Sequence, residues 1–132
     1  KKAFKAYDKA LVYNPDNDNV LNNYAYFLAE KGVRLEKAFE MASRAVALVK
    51  NSATYLDTYA WVLYKLERYA EARVVMKRAL PLDRDGSAEL LAHYGDILFA
   101  LGENFLASDY WKRAREAGYD EAKIAERLAK IK

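Results

Sequence analysis

Leu21, Leu56 and Leu91 lie 35 residues apart, and the same shift relates Tyr24, Tyr59 and Tyr94, then Ala25, Ala60 and Gly95, then Leu28, Leu63 and Leu98. A repeat of this length constrains the fold more than any other feature of the chain. One copy makes a supersecondary unit that cannot bury its own apolar face, so successive copies must stack and bury it together. Within each copy the order Leu, then Tyr, then Ala or Gly, then Leu places four side chains along one helical face. A second stripe of small residues follows: Ala3 and Ala10, Ala38 and Ala45, Ala72 and Ala79, Ala107 and Ala114, each pair two helical turns apart. Small side chains there let neighbouring helices approach closely. Gly95 costs its helix about 1 kcal/mol relative to alanine, so a close helix contact is the expected compensation. The breaks at Lys31–Arg34, Leu66–Arg68 and Leu101–Asn104 are short, which makes consecutive helices antiparallel neighbours.

Composition supports an all-α reading. Gly and Pro number only five and two, and 53% of the 132 residues are hydrophobic, enough for an extensive core. Cysteine is absent, which removes disulfides and thiolate metal sites. The net charge of +3 arises from interspersed acids and bases and not from a basic block. Apolar runs such as Tyr24–Ala29 are far shorter than the roughly 20 residues that span a bilayer. The first residues lack the apolar stretch of a signal peptide, so targeting is not legible in this segment.

Local chemistry marks the boundaries. Asp18, Ser52, Ser87 and Asp120 precede helical segments as N-cap candidates, and Gly118 suits a left-handed position after a helix. Pro81 disfavours helix at Leu80, so that helix is expected to stop early, with the extra residue near Asp85-Gly86-Ser87 absorbing the change of path. From Asp120 onward, Ile124, Leu128 and Ile131 share one face, as in a capping helix with a polar exterior. The segment up to Asn14 reads as a second helix without its first-helix partner, leaving Ala3, Tyr7, Ala10 and Leu11 partly uncovered. It implies a truncated or proteolysed chain, or one that contacts another molecule there, and a homodimer through this helix is the expected consequence.

These residues resemble the tetratricopeptide repeat, with its large residue, Leu-Gly or Leu-Ala, aromatic, Ala, aromatic, Ala and Pro at set offsets in about 34 residues. The second copy is nearest the pattern, with Leu56, Tyr59-Ala60, Tyr69, Ala72, Met76 and Ala79. Pro15 takes the terminal proline position, Tyr7, Met76 and Trp111 the large second-helix position, while Lys50 and Arg84 depart from the proline. The resemblance implies an all-α, right-handed α-solenoid of antiparallel helix hairpins with a C-terminal capping helix. Its expected divisions are 1–17 as the second helix of an incomplete repeat, repeats at 18–52, 53–86 and 87–118, and the cap at 119–132.

The resemblance further implies that first helices line a concave groove. The candidate partner-binding residues are then Asn22, Tyr26, Asp57, Trp61, Tyr64, Asp96 and Phe99. Trp61 and Tyr64 lie off the core stripe and give their helix a second apolar face, which either a neighbouring first helix or a partner must cover. The Lys, Asn and Arg carboxylate clamp of chaperone-binding members is absent: matching positions hold Asn22 with Tyr26, Asp57 with Trp61, and Ala92 with Asp96. Basic or apolar protein segments are the expected ligands, ion-paired with Asp57, Glu89 and Asp96 and buried against Trp61, Tyr64 and Phe99. The function read from this is a protein interaction scaffold or adaptor. The alternative is a structural subunit that self-assembles through the solenoid ends.

Catalysis has little support: His93 is the sole histidine, expected to be a surface or groove residue, and no phosphate-cradling loop or metal-spaced cluster occurs. Glu36 and Glu40, on a helix with Lys37 and Arg44, read as a solvated face. No metal, cofactor or catalytic residue is expected. Nucleic acid is disfavoured because the C-terminal basic residues, including Lys112, Arg113 and Arg127, interleave with acids and lie apart from the groove aromatics. The phrases Leu21–Ala29 and Leu56–Tyr64 also resemble bacterial cell-envelope tetratricopeptide proteins, often lipoproteins, which implies a periplasmic or outer-membrane-associated adaptor.

Overall fold

A computed structural model describes residues 2–83 and 86–131 of the chain. Among them run eight α-helices and no strand: α1 (Lys2–Tyr13), α2 (Asp18–Lys31), α3 (Leu35–Leu48), α4 (Ala53–Lys65), α5 (Tyr69–Ala79), α6 (Ala88–Ala100), α7 (Asn104–Glu116) and α8 (Glu121–Leu128). The side chains of Lys2 and Ala3 and the Arg84-Asp85 step lie outside the described residues, and with them the expectations for Ala3 and for the start of the Asp85-Gly86-Ser87 turn.

The helix ends follow from local chemistry. Ser52, Ser87 and Asp120 accept the backbone N–H of Tyr55, Leu90 and Lys123, each satisfying a donor that a first helical turn leaves unpaired. The α2 cap is Asn17 and not Asp18: the Asn17 side chain accepts the Val20 N–H, which frees the Asp18 carboxylate for the Tyr55 hydroxyl at 2.6 Å. Gly32 closes α2 at φ 71°, with its N–H on Ala29 and that of Val33 on Leu28, a left-handed close that costs glycine nothing. Helix α5 ends at Ala79 and tightens into a 3₁₀ turn over Leu80–Leu82, as Pro81 requires.

Helices α2 and α3, α4 and α5, and α6 and α7 pair as hairpins, while α2, α4 and α6 pack side by side in succession. The repeated stripe does what its spacing predicts. Leu21, Tyr24, Ala25 and Leu28 are buried, as are Leu56, Ala60 and Leu63, and then Tyr94 and Leu98. Tyr59 and Leu91 are only half-buried. Each fully buried leucine contributes about 1.5–3 kcal/mol against exposure. The alanines of the second stripe from Ala38 to Ala114 are all buried. At Gly95 a Cβ would fall on the Trp111 ring, so the absent side chain is what lets α7 seat its largest residue against α6.

At the N-terminal end, Tyr7 stacks on Tyr24 at 4.9 Å, and Asp8 accepts the Tyr24 hydroxyl at 2.8 Å while pairing with Lys37. Tyr7, Ala10 and Leu11 remain half-buried, as the sequence predicts. At the other end Ile124 is fully buried and Leu128 half-buried, so α8 covers the last hairpin.

Candidate functional site

The inner wall is built from the sides of α2, α4 and α6 that the core stripe leaves free, and α8 continues it as the next helix in the row. On α4, Trp61 is stacked between Tyr64, 4.7 Å away, and His93 of α6, 3.9 Å away. Its indole N–H donates to Glu30 of α2 at 2.7 Å. His93 Nδ1 in turn lies 2.9 Å from Asp57 of α4, both groups being buried. Burial by itself disfavours the imidazolium. The pull of Asp57, with Glu89 and Asp96 behind it, outweighs that and holds the His93 pKa above its ordinary value.

Tyr26 of α2 donates its hydroxyl to Glu89 of α6 at 2.7 Å, bridging the groove across α4. Burial, reinforced by the Glu89 carboxylate, pushes the phenol far above its usual range, so Tyr26 stays a donor at any working pH. At the far end Asp96 accepts the Trp111 indole N–H at 3.0 Å and two bonds from Arg127 of α8, at 2.7 and 3.1 Å. The side chains of this pair are only 20% and 9% exposed.

These contacts correct parts of the sequence reading. Asn22, Asp57, Trp61 and Asp96 are buried, whereas Tyr26, Tyr64 and Phe99 are half-buried and accessible. Asp57 and Asp96 are therefore not free charges awaiting a partner: His93 and Arg127 occupy them. His93 is buried wall and not surface. The second face of α4 is covered at Trp61 by the neighbouring first helix, the packing alternative, while Tyr64 retains accessible surface. Phe99 turns toward Trp111, with ring centroids 5.5 Å apart. Glu30 is a further wall residue, and the spacing Asn22, Tyr26, Glu30 along one face of α2 carries its signal in the sequence. In the sequence Arg127 stands in a dispersed basic cluster. Its role depends on where α8 docks, which residue spacing does not encode.

Clefts remain along the wall, two of which reach Tyr26 and Glu89. One, of about 390 Å³, lies between α2 and α4 and is lined by Asn22, Tyr26, Asp57, Thr58 and Glu89 among others. The second, about 480 Å³, lies toward α8 and is lined by Trp61, Lys65, His93, Lys123 and Arg127 among others. Among the described residues, no group of three or more His, Cys, Asp or Glu side chains is placed to hold a metal ion. No described helix is long and apolar enough to cross a membrane.

Stacked antiparallel helix pairs whose first helices form one continuous wall define an α-solenoid of helical repeats. Residues 6–40 match the tetratricopeptide repeat family. It is 32% identical over 86 residues, 65% of its length, to the TPR repeat-containing protein PA4667 of Pseudomonas aeruginosa. It is also 28% identical over 136 aligned residues, 99% of its length, to the type IV pilus assembly protein PilF of the same organism. The chain spans 14% and 53% of the lengths of these relatives. Among solved structures, YrrB, described as a TPR protein with an unusual peptide-binding site, superimposes with a TM-score of 0.75 at 25% identity, covering 93% of this chain and 62% of that one.

Proposed function

We propose that this chain is an adaptor whose concave wall binds a peptide or protein segment of basic or apolar character, each of 18–52, 53–86 and 87–118 contributing one wall helix. The observation that carries the reading is the chemistry left over once internal contacts are counted. Tyr26, Tyr64 and Phe99 are accessible aromatic surface, and among the described residues Glu30 and Glu89 hydrogen-bond only neutral donors, so neither is held in an ion pair there. Aromatic anchors ringed by charge are the usual composition of an interface hot spot. Asn22, Asp57, Trp61 and Asp96 then shape the wall. The family supports a protein interaction scaffold, and the peptide-binding description of YrrB supports a groove ligand. Similarity to PilF favours an adaptor of the bacterial envelope, periplasmic or outer-membrane-associated.

The test is a screen of the chain against a peptide array, followed by binding of the selected peptides to Tyr64→Ala. Loss of at least about 2 kcal/mol with helicity retained is the expected result. Trp61→Ala is a poorer probe, because removing a buried tryptophan costs about 3–5 kcal/mol of stability. Undiminished binding to Tyr64→Ala and Phe99→Ala would move the interface off this wall. The second reading, self-assembly through a solenoid end, is favoured by Val12 and Tyr13 of α1, which are 84% and 96% exposed.

A further inference from the structure

The cleft between α2 and α4 contains an anomaly that the fold does not explain. Asn22 is 5% exposed, yet its Oδ1 has no hydrogen-bond partner among the described residues. Its Nδ2 is directed to Asn23 Oδ1, 3.4 Å away. A buried acceptor without a donor carries an uncompensated desolvation penalty, and native structures hold few of them. Tyr26, the nearby hydroxyl on the same helix face, cannot relieve it, because its proton is committed to Glu89.

The surroundings specify what kind of donor is missing. Glu30, Asp57 and Glu89 line the same cleft, and among the described residues no lysine or arginine does. Asp57 is countered by His93, whereas among the described residues Glu30 and Glu89 hydrogen-bond only the neutral Trp61 indole and Tyr26 phenol. The walls also include the rings of Tyr7, Tyr26 and Phe27. Further along the groove the charges are mixed, with Lys65, Lys123 and Arg127 lining the cleft toward α8 beside Glu30, Glu89, Asp120 and Glu126. A cation is therefore favoured at the α2 end, where the described charged lining is acidic.

We propose that the Asn22 cleft is a subsite for an arginine side chain, with Asn22 Oδ1 as its buried acceptor and Glu89 and Glu30 as its anionic rim. A guanidinium fits this set better than an ammonium. It is planar, stacks on aromatic faces, and presents donors in a rigid fork that can reach an amide oxygen and a carboxylate together. It is also more weakly hydrated, so entering a site with a buried acceptor costs it less. This assignment rests on the groove reading and specifies which chemistry occupies one end of it.

The experiment is an NMR titration of the ¹⁵N-labelled chain with Nα-acetyl-arginine amide, run beside the citrulline and lysine analogues. The expected result is saturable shifts of the Asn22 side-chain amide and of Thr54 and Thr58, strongest for arginine and absent for the isosteric but neutral citrulline. Asn22→Leu and the exposed Glu89→Gln should each weaken the arginine affinity by about tenfold. Glu89→Gln keeps the test valid should Asn22→Leu disturb folding. Equal shifts with citrulline, no saturable shift near Asn22, or unchanged affinity in Glu89→Gln would overturn the subsite. If selected peptides still perturb Tyr64 while the arginine probe leaves Asn22 untouched, the groove reading stands and the subsite alone falls.

Discussion

Arg127, on the last helix, donates two hydrogen bonds to the carboxylate of Asp96 on α6, from Nε at 2.7 Å and from a terminal nitrogen at 3.1 Å. Side-by-side donation from a planar guanidinium fixes orientation as well as distance, so this contact ties the cap to the wall. Arg127→Ala leaves Asp96 nearly buried with only the Trp111 indole as donor. Because Arg127 is itself partly exposed, the expected loss is about 2–4 kcal/mol, at the low end of what breaking a buried pair costs. Urea denaturation of the single variants and of the Arg127→Ala, Asp96→Asn double variant measures it. Additive losses would mean that the two side chains do not act as a pair.

His93 gives the fold a pH dependence with a definite sign. Its folded pKa is raised above the ordinary 6.5, so its stabilising share is complete below that value and is lost as pH rises through the folded pKa. The groups around it are Tyr26 and Glu30 from α2, Asp57 and Lys65 from α4, Glu89 and Asp96 from α6, and Arg127 from α8. Thermal unfolding should show Tm falling as pH is raised from near 6.5 toward mildly alkaline values. His93→Gln should flatten that fall, and a parallel profile in the variant would assign the dependence to another group.

Leu63 and Gly95 test the two packing rules of the repeat. Leu63 is 1% exposed, so Leu63→Ala should cost about 2–5 kcal/mol in chemical denaturation. Gly95→Ala gains helix propensity of about 1 kcal/mol but drives a methyl into Trp111, and overpacking costs about 1–3 kcal/mol. A net loss is expected, accompanied by a shift in Trp111 fluorescence. A stabilised Gly95→Ala would show that α7 can move aside freely.

Tyr13 and Val12 present apolar surface at the α1 end of the solenoid. If the chain self-associates there, light scattering should give a mass that rises with concentration, and Tyr13→Glu should return it to that of a monomer. A wild-type monomer across the whole range would exclude this end as a self-association surface.

The 35-residue shift of Leu, Tyr, Ala or Gly and Leu determined the fold class, because a helical stripe that no single hairpin can bury leaves stacking as its one outlet. Capping chemistry likewise determined where α4, α6 and α8 begin and why α5 stops at Ala79, since those interactions reach only a few residues along the chain. Which groove charges remain free was decided by tertiary structure alone. Asp57 and Asp96 look like Glu30 and Glu89 in a sequence. Their partners, His93 and Arg127, lie 36 and 31 residues away and meet them only after α6 and α8 dock. The unpartnered Asn22 Oδ1 belongs to the same class of fact: local spacing places a side chain on a helix face, but only the packed neighbours determine whether its hydrogen bond is made.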